Sequence, residues 1–257
     1  MHETVLYNDP FLKQVVARID FVTPLAGLEK TLPTKLGNVL TEHFPIAEPT
    51  ESLAFQIEFN VGSGAVQDKR TPIKVWNFYG KDREKQLSLG PPNVFVSQNS
   101  YSTYEELKED FGSVVNALDA TFPDTKAGRF GLRYVNIIES DGLPTIKGWE
   151  EFIAQPLVGS IAFFDPAKLT RLIHVAEMKC GDLTLRFQFG LPNPDYPSVI
   201  KRPSFVLDLD AYVEAAHPLA ISLQYMEQAH ECIQHVFEQS ITDKLRERMN
   251  VKTAVQE

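Results

Sequence analysis

The amino-acid sequence predicts an α+β fold: two β-α-β(3-4)-α pseudo-repeats that form one curved antiparallel sheet, with long helices packed on one face. Two observations lead to this prediction. Segments in which apolar and polar residues alternate, as they do along a half-buried strand, recur through both halves of the chain. Each half then closes with a segment whose apolar residues recur every three or four positions, which is the spacing of a helix.

In the first half, alternation predicts a strand at 15–21, and helical spacing follows over 25–43. Pro33 should break or kink this helix. Further strands are predicted at 55–61, 73–79, 85–89 and 94–97. Ser102, as an N-cap with Glu105 three residues later, forms a capping-box pattern. This pattern predicts a helix that runs to Phe122, where the following proline stops it.

The second half repeats this order. A strand is predicted at 130–138, a short helix at 149–153, a hairpin over 169–191 and a strand at 205–210. The chain then enters its strongest helical pattern, predicted as a single helix of about seven turns. Its apolar stripe consists of Leu223, Met226, His230, Ile233, Phe237, Ile241, Leu245 and Met249.

The predicted organisation is a first α+β half at 1–125 and a second half at 126–257 that ends in the long helix. No linker rich in Gly or Ser divides the halves, so we expect them to be fused in one globular unit. Their sequence identity is negligible, and the internal duplication is inferred from element order. The architecture is analogous to the duplicated saddle of TATA-binding-protein-like folds, which implies no DNA binding.

Composition and charge exclude several function classes. The chain has 257 residues and a formal net charge of −9, which disfavours nucleic-acid backbones as partners. Cys180 and Cys232 form neither a CxxC pair nor a metal-ligand spacing, and we expect two free thiols in a reducing compartment. No signal peptide and no bilayer-spanning apolar run is recognisable. We therefore expect a soluble cytoplasmic protein with no membrane partner and no cofactor.

Four segments resemble one known family. They are YNDPF at 7–11, GLRYVN at 131–136, LDLD at 207–210 and FEQSITDKL at 237–245. In this order and spacing they resemble a sporadically distributed prokaryotic family that is defined by an automated family model and has no assigned activity. The resemblance implies a bacterial protein from a mobile-element or defence context, and it supplies no catalytic residues.

The sharpest enzymatic candidate is Asp165 followed by the Glu177-x-Lys179 motif. Metal-dependent nucleases hold Mg²⁺ with such carboxylates and use the lysine to orient or activate water. The competing interpretation is the alternating charge of a solvent-facing strand. A metal-dependent phosphodiesterase or nuclease is therefore an alternative prediction, and we expect the three side chains not to converge.

Asp208 and Asp210 are two residues apart on a strand and share one face. The pair is a candidate divalent-cation site, together with Glu177 or His174. The alternative is the polar face of a half-exposed strand, with Arg133 or Arg186 as the ion-pair partner.

Neutral residues offer weaker candidates. His230 lies on the apolar stripe of the last helix, where a histidine that is hydrogen-bonded inside the core is the favoured interpretation over a ligand or base. Four aromatic residues could line a groove, although such spacing is more typical of core or cross-strand pairs. They are Trp76, Tyr79, Tyr101 and Tyr104.

We expect a non-enzymatic binding or regulatory protein whose partner is encoded by a neighbouring gene. The distal end of the last helix is the predicted contact, for a protein partner or for self-association, because Arg and aliphatic anchors often share an interface. Its residues are Ile241, Leu245, Arg246, Arg248 and Met249. Leu245 and Met249 should be exposed in the monomer or covered by a second chain. A third possibility is a small-ligand binder with a cavity between the sheet and the long helix.

Overall fold

The computed structural model describes residues 6–60, 65–101, 103–139, 146, 148–202 and 204–252, with the backbone alone described for 52–60, for 65–72 and for Lys252. The helices are α1 Thr34–His43, α2 Tyr104–Thr121, α3 Gln155–Val158, α4 Ile221–Ser240 and α5 Asp243–Met249, with 3₁₀ turns at Trp149–Glu151 and Gly159–Phe163. The strands are β1 Leu6–Tyr7, β2 Leu12–Phe21, β3 Ile46–Ala47, β4 Thr50–Asn60, β5 Ala65–Tyr79, β6 Lys85–Leu89, β7 Asn93–Gln98, β8 Lys126–Ile138, β9 Leu172–Cys180, β10 Leu183–Leu191, β11 Phe205–Val213, β12 His217–Pro218 and β13 Val251–Lys252.

Eleven of these strands form one sheet, which confirms the prediction of an α+β fold with a large antiparallel sheet. The strand order is β3-β5-β6-β7-β2-β8-β11-β10-β9, with β4 paired to β5 and β12 to β8. Central strands β2 and β8 pair antiparallel, with Ala17 opposite Leu132, and so connect the strands of the first half to those of the second. The remaining two strands, β1 and β13, pair with each other near the chain ends.

The helices cover one face of this sheet. Because side chains alternate along a strand, Phe130, Leu132 and Tyr134 of β8 point to the same side. Phe111 of α2 packs 6.0 Å from Phe130, measured between ring centroids, and His230 of α4 lies against Tyr134. Both long helices therefore lie on this side, which we call the inner face.

The opposite side, which we call the outer face, is lined by polar residues of the central strands. Asp210 of β11 lies opposite Arg133 of β8, and Asp20 of β2 lies opposite Arg129 of β8. These side chains alternate with the inner-face residues, so the polar half of each strand pattern faces away from the core. Arg133 thus lies on the outer face while its neighbour Tyr134 lies on the inner face.

One predicted helix start is confirmed and one needs correction. Within 25–43 the helical spacing is broken at Pro33, as predicted, and α1 begins only at Thr34, since proline fits a helix start but not its interior. For α2, the N-cap is Thr103, whose side chain accepts a hydrogen bond from the backbone N–H of Glu106 at 3.2 Å. Ser102, the predicted N-cap, lies outside the described residues.

The prediction of a single C-terminal helix is wrong, because α4 ends at Ser240 and α5 begins at Asp243. Between them Ile241 is extended and forms an isolated bridge with Ile153. The backbone N–H of Ala154 donates to the Ser240 carbonyl at 2.9 Å. This contact stabilises the break, because a carbonyl at a helix end needs a partner outside the helix. A stripe with helical spacing can therefore span a break when both pieces bury the same side.

The prediction that Leu245 and Met249 are exposed in the monomer, or covered by a second chain, is also wrong. Leu245 is 0% and Met249 1% exposed, and Ile241 is 4% exposed. After the break α5 turns back onto the core, and the backbone N–H of Asp9 donates to the Met249 carbonyl at 3.0 Å. These apolar side chains are covered by their own chain.

The prediction of two free thiols is wrong as well, because Cys180 and Cys232 form a disulfide. Cys180 ends β9 and Cys232 lies in α4, so residues 52 positions apart in sequence are joined. Cytosolic proteins seldom keep structural disulfides. The disulfide is thus unusual for a cytoplasmic protein, and the predicted cytoplasmic location stays a prediction. No helix in the described ranges is long and apolar enough to cross a membrane.

Candidate functional site

A cavity of about 90 Å³ lies on the inner face, between β8, the start of α2 and the middle of α4. The strand β1 and the end of α5 close its far side. Aliphatic and aromatic side chains dominate the lining, with a few polar groups among them. The lining residues are Leu6, Tyr7, Pro10, Leu12, Tyr101, Tyr104, Tyr134, Asn136, His230, Ile233, Gln234, Phe237, Glu238 and Met249.

Local structure places the polar members of this lining. Tyr134 belongs to the inward half of β8, two residues beyond the buried Leu132. His230 lies on the buried stripe of α4, between Met226 and Ile233, and Tyr104 opens α2 immediately after its N-cap. A strand, a helix start and a helix centre thus converge on one point.

A chain of hydrogen bonds links three of these side chains. The hydroxyl of Tyr101 lies 3.2 Å from that of Tyr134, which in turn lies 3.1 Å from Nδ1 of His230. Tyr104 stacks on the His230 ring, with centroids 3.8 Å apart and planes inclined by 2°. When the Tyr134 hydroxyl donates to Nδ1, the ring proton of His230 resides on Nε2.

Two polar atoms of this cluster have no hydrogen-bond partner within the described part of the chain. They are Nε2 of His230 and the hydroxyl of Tyr104, both shielded from solvent. Each of the two residues is 9% exposed. A buried donor or acceptor without a partner costs about 1–3 kcal/mol, so folded proteins seldom retain one without a reason. Both side chains line the cavity, where a bound molecule could supply the missing partner.

The cluster is electrically neutral near pH 7. Burial lowers the pKa of His230 to about 4, against a smaller opposing effect of Glu105. Burial also raises the pKa of Tyr101 to about 12 and raises that of Tyr104 and of Tyr134. The cavity therefore presents phenols and a neutral imidazole, which suit hydrogen bonding to an uncharged group.

Charged groups occur only at the rim of the cavity, among the described lining residues. Tyr7 donates to Oε1 of Glu238 at 2.7 Å, and Nε of Arg246 donates to Oε2 at 3.0 Å. Because Arg246 compensates Glu238, the rim adds little net charge. These bonds also hold β1 over the cavity, which makes Tyr7 part of its cover.

A larger depression of about 460 Å³ lies between residues 22–26 and 121–126. Its described lining includes no buried polar side-chain atom without a partner. The smaller cavity is therefore the candidate site, because buried polar atoms that have no partner among the described residues line its open space.

Asp208 and Asp210, the candidate metal pair, lie on the outer face in ion pairs. Both carboxylate oxygens of Asp208 accept from Arg133, at 2.7 Å from Nε and 2.6 Å from a terminal nitrogen. Asp210 accepts from Arg129 at 3.2 Å; burial raises its pKa, and Arg129 opposes that shift. Arg133, one of the two partners named in the sequence alternative, is thus observed at Asp208, whereas Asp210 pairs with Arg129, which that alternative did not include. Within the described ranges, no three His, Cys, Asp or Glu side chains are grouped to hold a metal.

The nuclease candidates lie at the edge of the sheet, on the side of β9. Asp165 follows a 3₁₀ turn, accepts from the backbone N–H of Ala167 at 3.0 Å and lies 3.8 Å from Nζ of Lys168. Lys179 donates to Oγ1 of Thr184 at 3.0 Å. None of these contacts joins Asp165 to the Glu177-x-Lys179 motif, and the nuclease alternative remains a prediction without positive support.

The predicted interaction residues divide into two groups. The apolar ones, Ile241, Leu245 and Met249, are buried as described above. Arg246 is bound to Glu238 at the cavity rim, while Arg248 lies on the exposed side of α5. A partner contact at this end would therefore use the charged side of α5, and such a contact remains a prediction.

Comparison with known proteins yields no relative: the sequence matches no family model and no curated protein significantly. The family resemblance inferred from the four segments therefore remains a prediction, and the interpretation of the site comes from its geometry.

Sequence reasoning found part of this site. Tyr101 and Tyr104 were groove candidates and both line the cavity, whereas Trp76 donates to the Leu28 carbonyl and Tyr79 lies under Arg83. His230 is predicted to be a hydrogen-bonded histidine of the core. In the structure its Nδ1 atom has a hydrogen-bond partner, and among the described residues its Nε2 atom has none. Tyr134 was assigned only to a strand, because its partner His230 lies 96 residues away.

Proposed function

We propose that this chain is a non-enzymatic binding protein and that its ligand site is the cavity beneath α4. The observation that carries the proposal is a pair of buried polar atoms, Nε2 of His230 and the hydroxyl of Tyr104, which have no hydrogen-bond partner among the described residues and lie in a largely apolar lining. Ligand pockets typically combine an apolar lining with a few placed polar groups.

The lining determines the class of ligand. A neutral imidazole and phenols offer no charge to balance an ion, and the Glu238 carboxylate is already bound by Arg246. An engineered apolar cavity of about 150 Å³ accommodates benzene. The cavity of about 90 Å³ therefore suits a smaller molecule. We propose a small, uncharged, flat molecule with an apolar body and one hydrogen-bonding edge.

Entry to the cavity requires movement of its cover. β1 consists of two residues and pairs with the two-residue β13 near the chain ends. Few backbone hydrogen bonds hold such a short ribbon, and its main apolar contact is the edge-to-face packing of Tyr7 on Phe237, so it can open locally without unfolding the sheet. The bonds from Tyr7 and Arg246 to Glu238 keep the cover closed in the folded chain.

Pyrazole and thiophene provide a matched pair of probes, because both are flat five-membered rings and only pyrazole has a hydrogen-bonding edge. Binding is measured by titration of the ¹⁵N-labelled protein at pH 7. Pyrazole should shift the amide signals around Tyr101, Tyr134 and His230, and it should bind about fivefold or more tightly than thiophene, as one hydrogen bond implies.

Substitution then assigns the hydrogen bond. His230→Leu should remove the preference for pyrazole, and His235→Leu, on an exposed part of the same helix, should leave it unchanged. Tyr104→Phe provides a second variant if His230→Leu fails to fold. Equal binding of both probes, or shifts that do not map to the cavity, would reject the proposal.

Binding of a partner protein, as expected from the sequence, is compatible with this site and stays a proposal for the charged side of α5. We also propose that the fold arose by internal duplication and forms a saddle-like sheet. The strand order supports this, since each half places its first long strand, β2 or β8, at the sheet centre, continues at the outer edge with β3 or β9, and then returns inward strand by strand. Each half then closes with a long helix, α2 or α4.

A further inference from the structure

β9 forms one edge of the large sheet. Its nine residues pair with β10 in continuous register, from Leu172 opposite Leu191 to Cys180 opposite Leu183. On its other side, no strand in the described ranges pairs with it. An edge strand of this length presents a row of backbone groups that can pair with another strand.

The turn that follows β9 determines which backbone groups are free. Residues 181–182 form a two-residue hairpin loop, with Gly181 at φ 61°. In such a loop the flanking residues, here Cys180 and Leu183, form a hydrogen-bonded pair. The backbone direction alternates along a strand, so every second residue of β9 counted back from Cys180 points its N–H and C=O groups toward β10. The other four, Ile173, Val175, Glu177 and Lys179, point theirs toward the free edge.

The charged side chains of β9 are complementary to those of a second, antiparallel copy. Glu177 and Lys179 flank Met178, and both lie on the outer face. If two copies pair about Met178, Glu177 of each copy lies opposite Lys179 of the other. In this register Glu177 of one copy also lies opposite Lys179 of the other with both backbones facing the shared edge, so their N–H and C=O groups can form hydrogen bonds between the copies. Registers centred on Glu177 or on Lys179 would instead place like charges directly opposite each other, which is unfavourable.

Apolar side chains along the edge fit the same register. Met178 is 50% and Val175 52% exposed, high values for apolar residues of a strand. Pairing about Met178 brings the two Met178 side chains together on the inner-face side and places Val175 opposite Gly181, which offers no steric obstacle. Both apolar side chains would thereby lose exposed surface.

We propose that two copies of this chain form a two-fold symmetric dimer by antiparallel pairing of their β9 strands, with Met178 on the symmetry axis. Charged residues on an edge strand usually prevent pairing because identical copies repel. Here the order of charges has the opposite effect, since each negative residue meets a positive one. Arg186 lies opposite Glu177 on β10 and donates to Gln188, so Glu177 keeps an oxygen for the partner copy.

Charge reversal tests the register directly. Glu177→Lys makes both residues positive, and Lys179→Glu makes both negative, so each variant repels itself at two symmetric positions. The two like-charge contacts should weaken dimerisation about tenfold in each variant. An equimolar mixture of the two variants should restore it, because a mixed dimer places only opposite charges against each other.

Sedimentation velocity over a range of protein concentrations measures the association, and circular dichroism checks that each variant is folded. Arg18→Glu, on the outer face near the sheet centre, is the control and should dimerise like the unmodified chain. A chain that stays monomeric at all concentrations, single variants that dimerise normally, or a mixture that does not regain the dimer would each overturn the proposal.

Discussion

Arg133 and Tyr134 are neighbours on β8 whose side chains lie on opposite faces of the sheet, and their surroundings differ in one respect. Arg133 satisfies both carboxylate oxygens of the buried Asp208. Tyr134 bridges Tyr101 and His230, yet the His230 Nε2 atom has no hydrogen-bond partner in the part of the chain that the structure describes. The hydrogen bonds of the Asp208 carboxylate are made within the protein, whereas the tyrosine and histidine cluster keeps polar atoms that a ligand could bind. The candidate binding site is therefore on the inner face.

The difference follows from the cost of burial. An unpaired buried charge is so costly that a folded protein pairs it or neutralises it. A neutral imidazole or phenol without a partner costs far less, so it can be kept ready for a ligand. Residue type alone is therefore misleading: the aspartates are the conspicuous candidates in the sequence, whereas the histidine is predicted to belong to the core.

The largest expected effect comes from breaking the ion pair between Arg133 and Asp208. Arg133→Ala leaves the Asp208 carboxylate, 4% exposed, without its partner. We expect a loss of about 3–4 kcal/mol in the free energy of unfolding, measured by urea denaturation at pH 7. Arg18→Ala removes an arginine from the exposed pair with Asp20 on the same face and should cost less than about 1 kcal/mol.

The double variant Arg133→Leu with Asp208→Leu distinguishes a structural pair from a site under functional constraint. Because both charges disappear together, stability should return to within about 1 kcal/mol of the unmodified chain. Binding of pyrazole at the inner-face cavity should be unchanged. If the double variant lost binding while remaining folded, the two faces would be coupled and the ion pair would not be purely structural.

The second prediction uses acid to perturb the neutral cluster. The pKa of His230 is about 4 in the folded chain, against 6.5 for an ordinary histidine. Between these values the unfolded chain binds the proton more readily, so stability falls as the pH decreases from about 6.5 to 4. The shift corresponds to a loss of about 3 kcal/mol from this residue.

His230→Gln isolates that contribution, since glutamine does not titrate. We expect the stability difference between the unmodified chain and this variant to change by about 2–3 kcal/mol between pH 7 and pH 4.5. Glu105, the acidic group that opposes the shift, remains in both proteins and cancels in the comparison. A difference that did not depend on pH would mean that His230 is solvated and that the cavity is not a dry site.

Sequence reasoning recovered the strands and their polar faces better than the ends of helices and the site. Alternation identified the strands because burial of one face has a period of two. The break at Ile241 escaped it, because the apolar spacing continues across the break while a bridge to Ile153, distant in sequence, stabilises it. The disulfide and the Tyr134–His230 contact escaped for the same reason, since each joins residues that only the tertiary fold brings together.

The smallest expected effect on stability comes from removing one tyrosine hydroxyl on the inner face. The same change, Tyr to Phe, should have different results at positions 134 and 104. Tyr134→Phe removes a hydroxyl that contacts both Tyr101 and His230, and it should cost about 1–2 kcal/mol because buried partners lose their hydrogen bonds. Tyr104→Phe removes a hydroxyl that has no hydrogen-bond partner among the described residues, and it should leave stability unchanged or raise it by up to about 1 kcal/mol. Urea denaturation of the two variants measures both changes against the unmodified chain.

Ligand binding decides what a neutral or stabilising Tyr104→Phe result means. If the cavity is a packing defect, removal of the hydroxyl improves the core and pyrazole binding does not change. If the cavity is a ligand site, the same variant gains stability and loses affinity for pyrazole, because the hydroxyl is kept at a cost for the bound state. The ratio of pyrazole to thiophene affinity should then decrease in Tyr104→Phe, while Tyr79→Phe, outside the cavity, keeps the ratio of the unmodified chain.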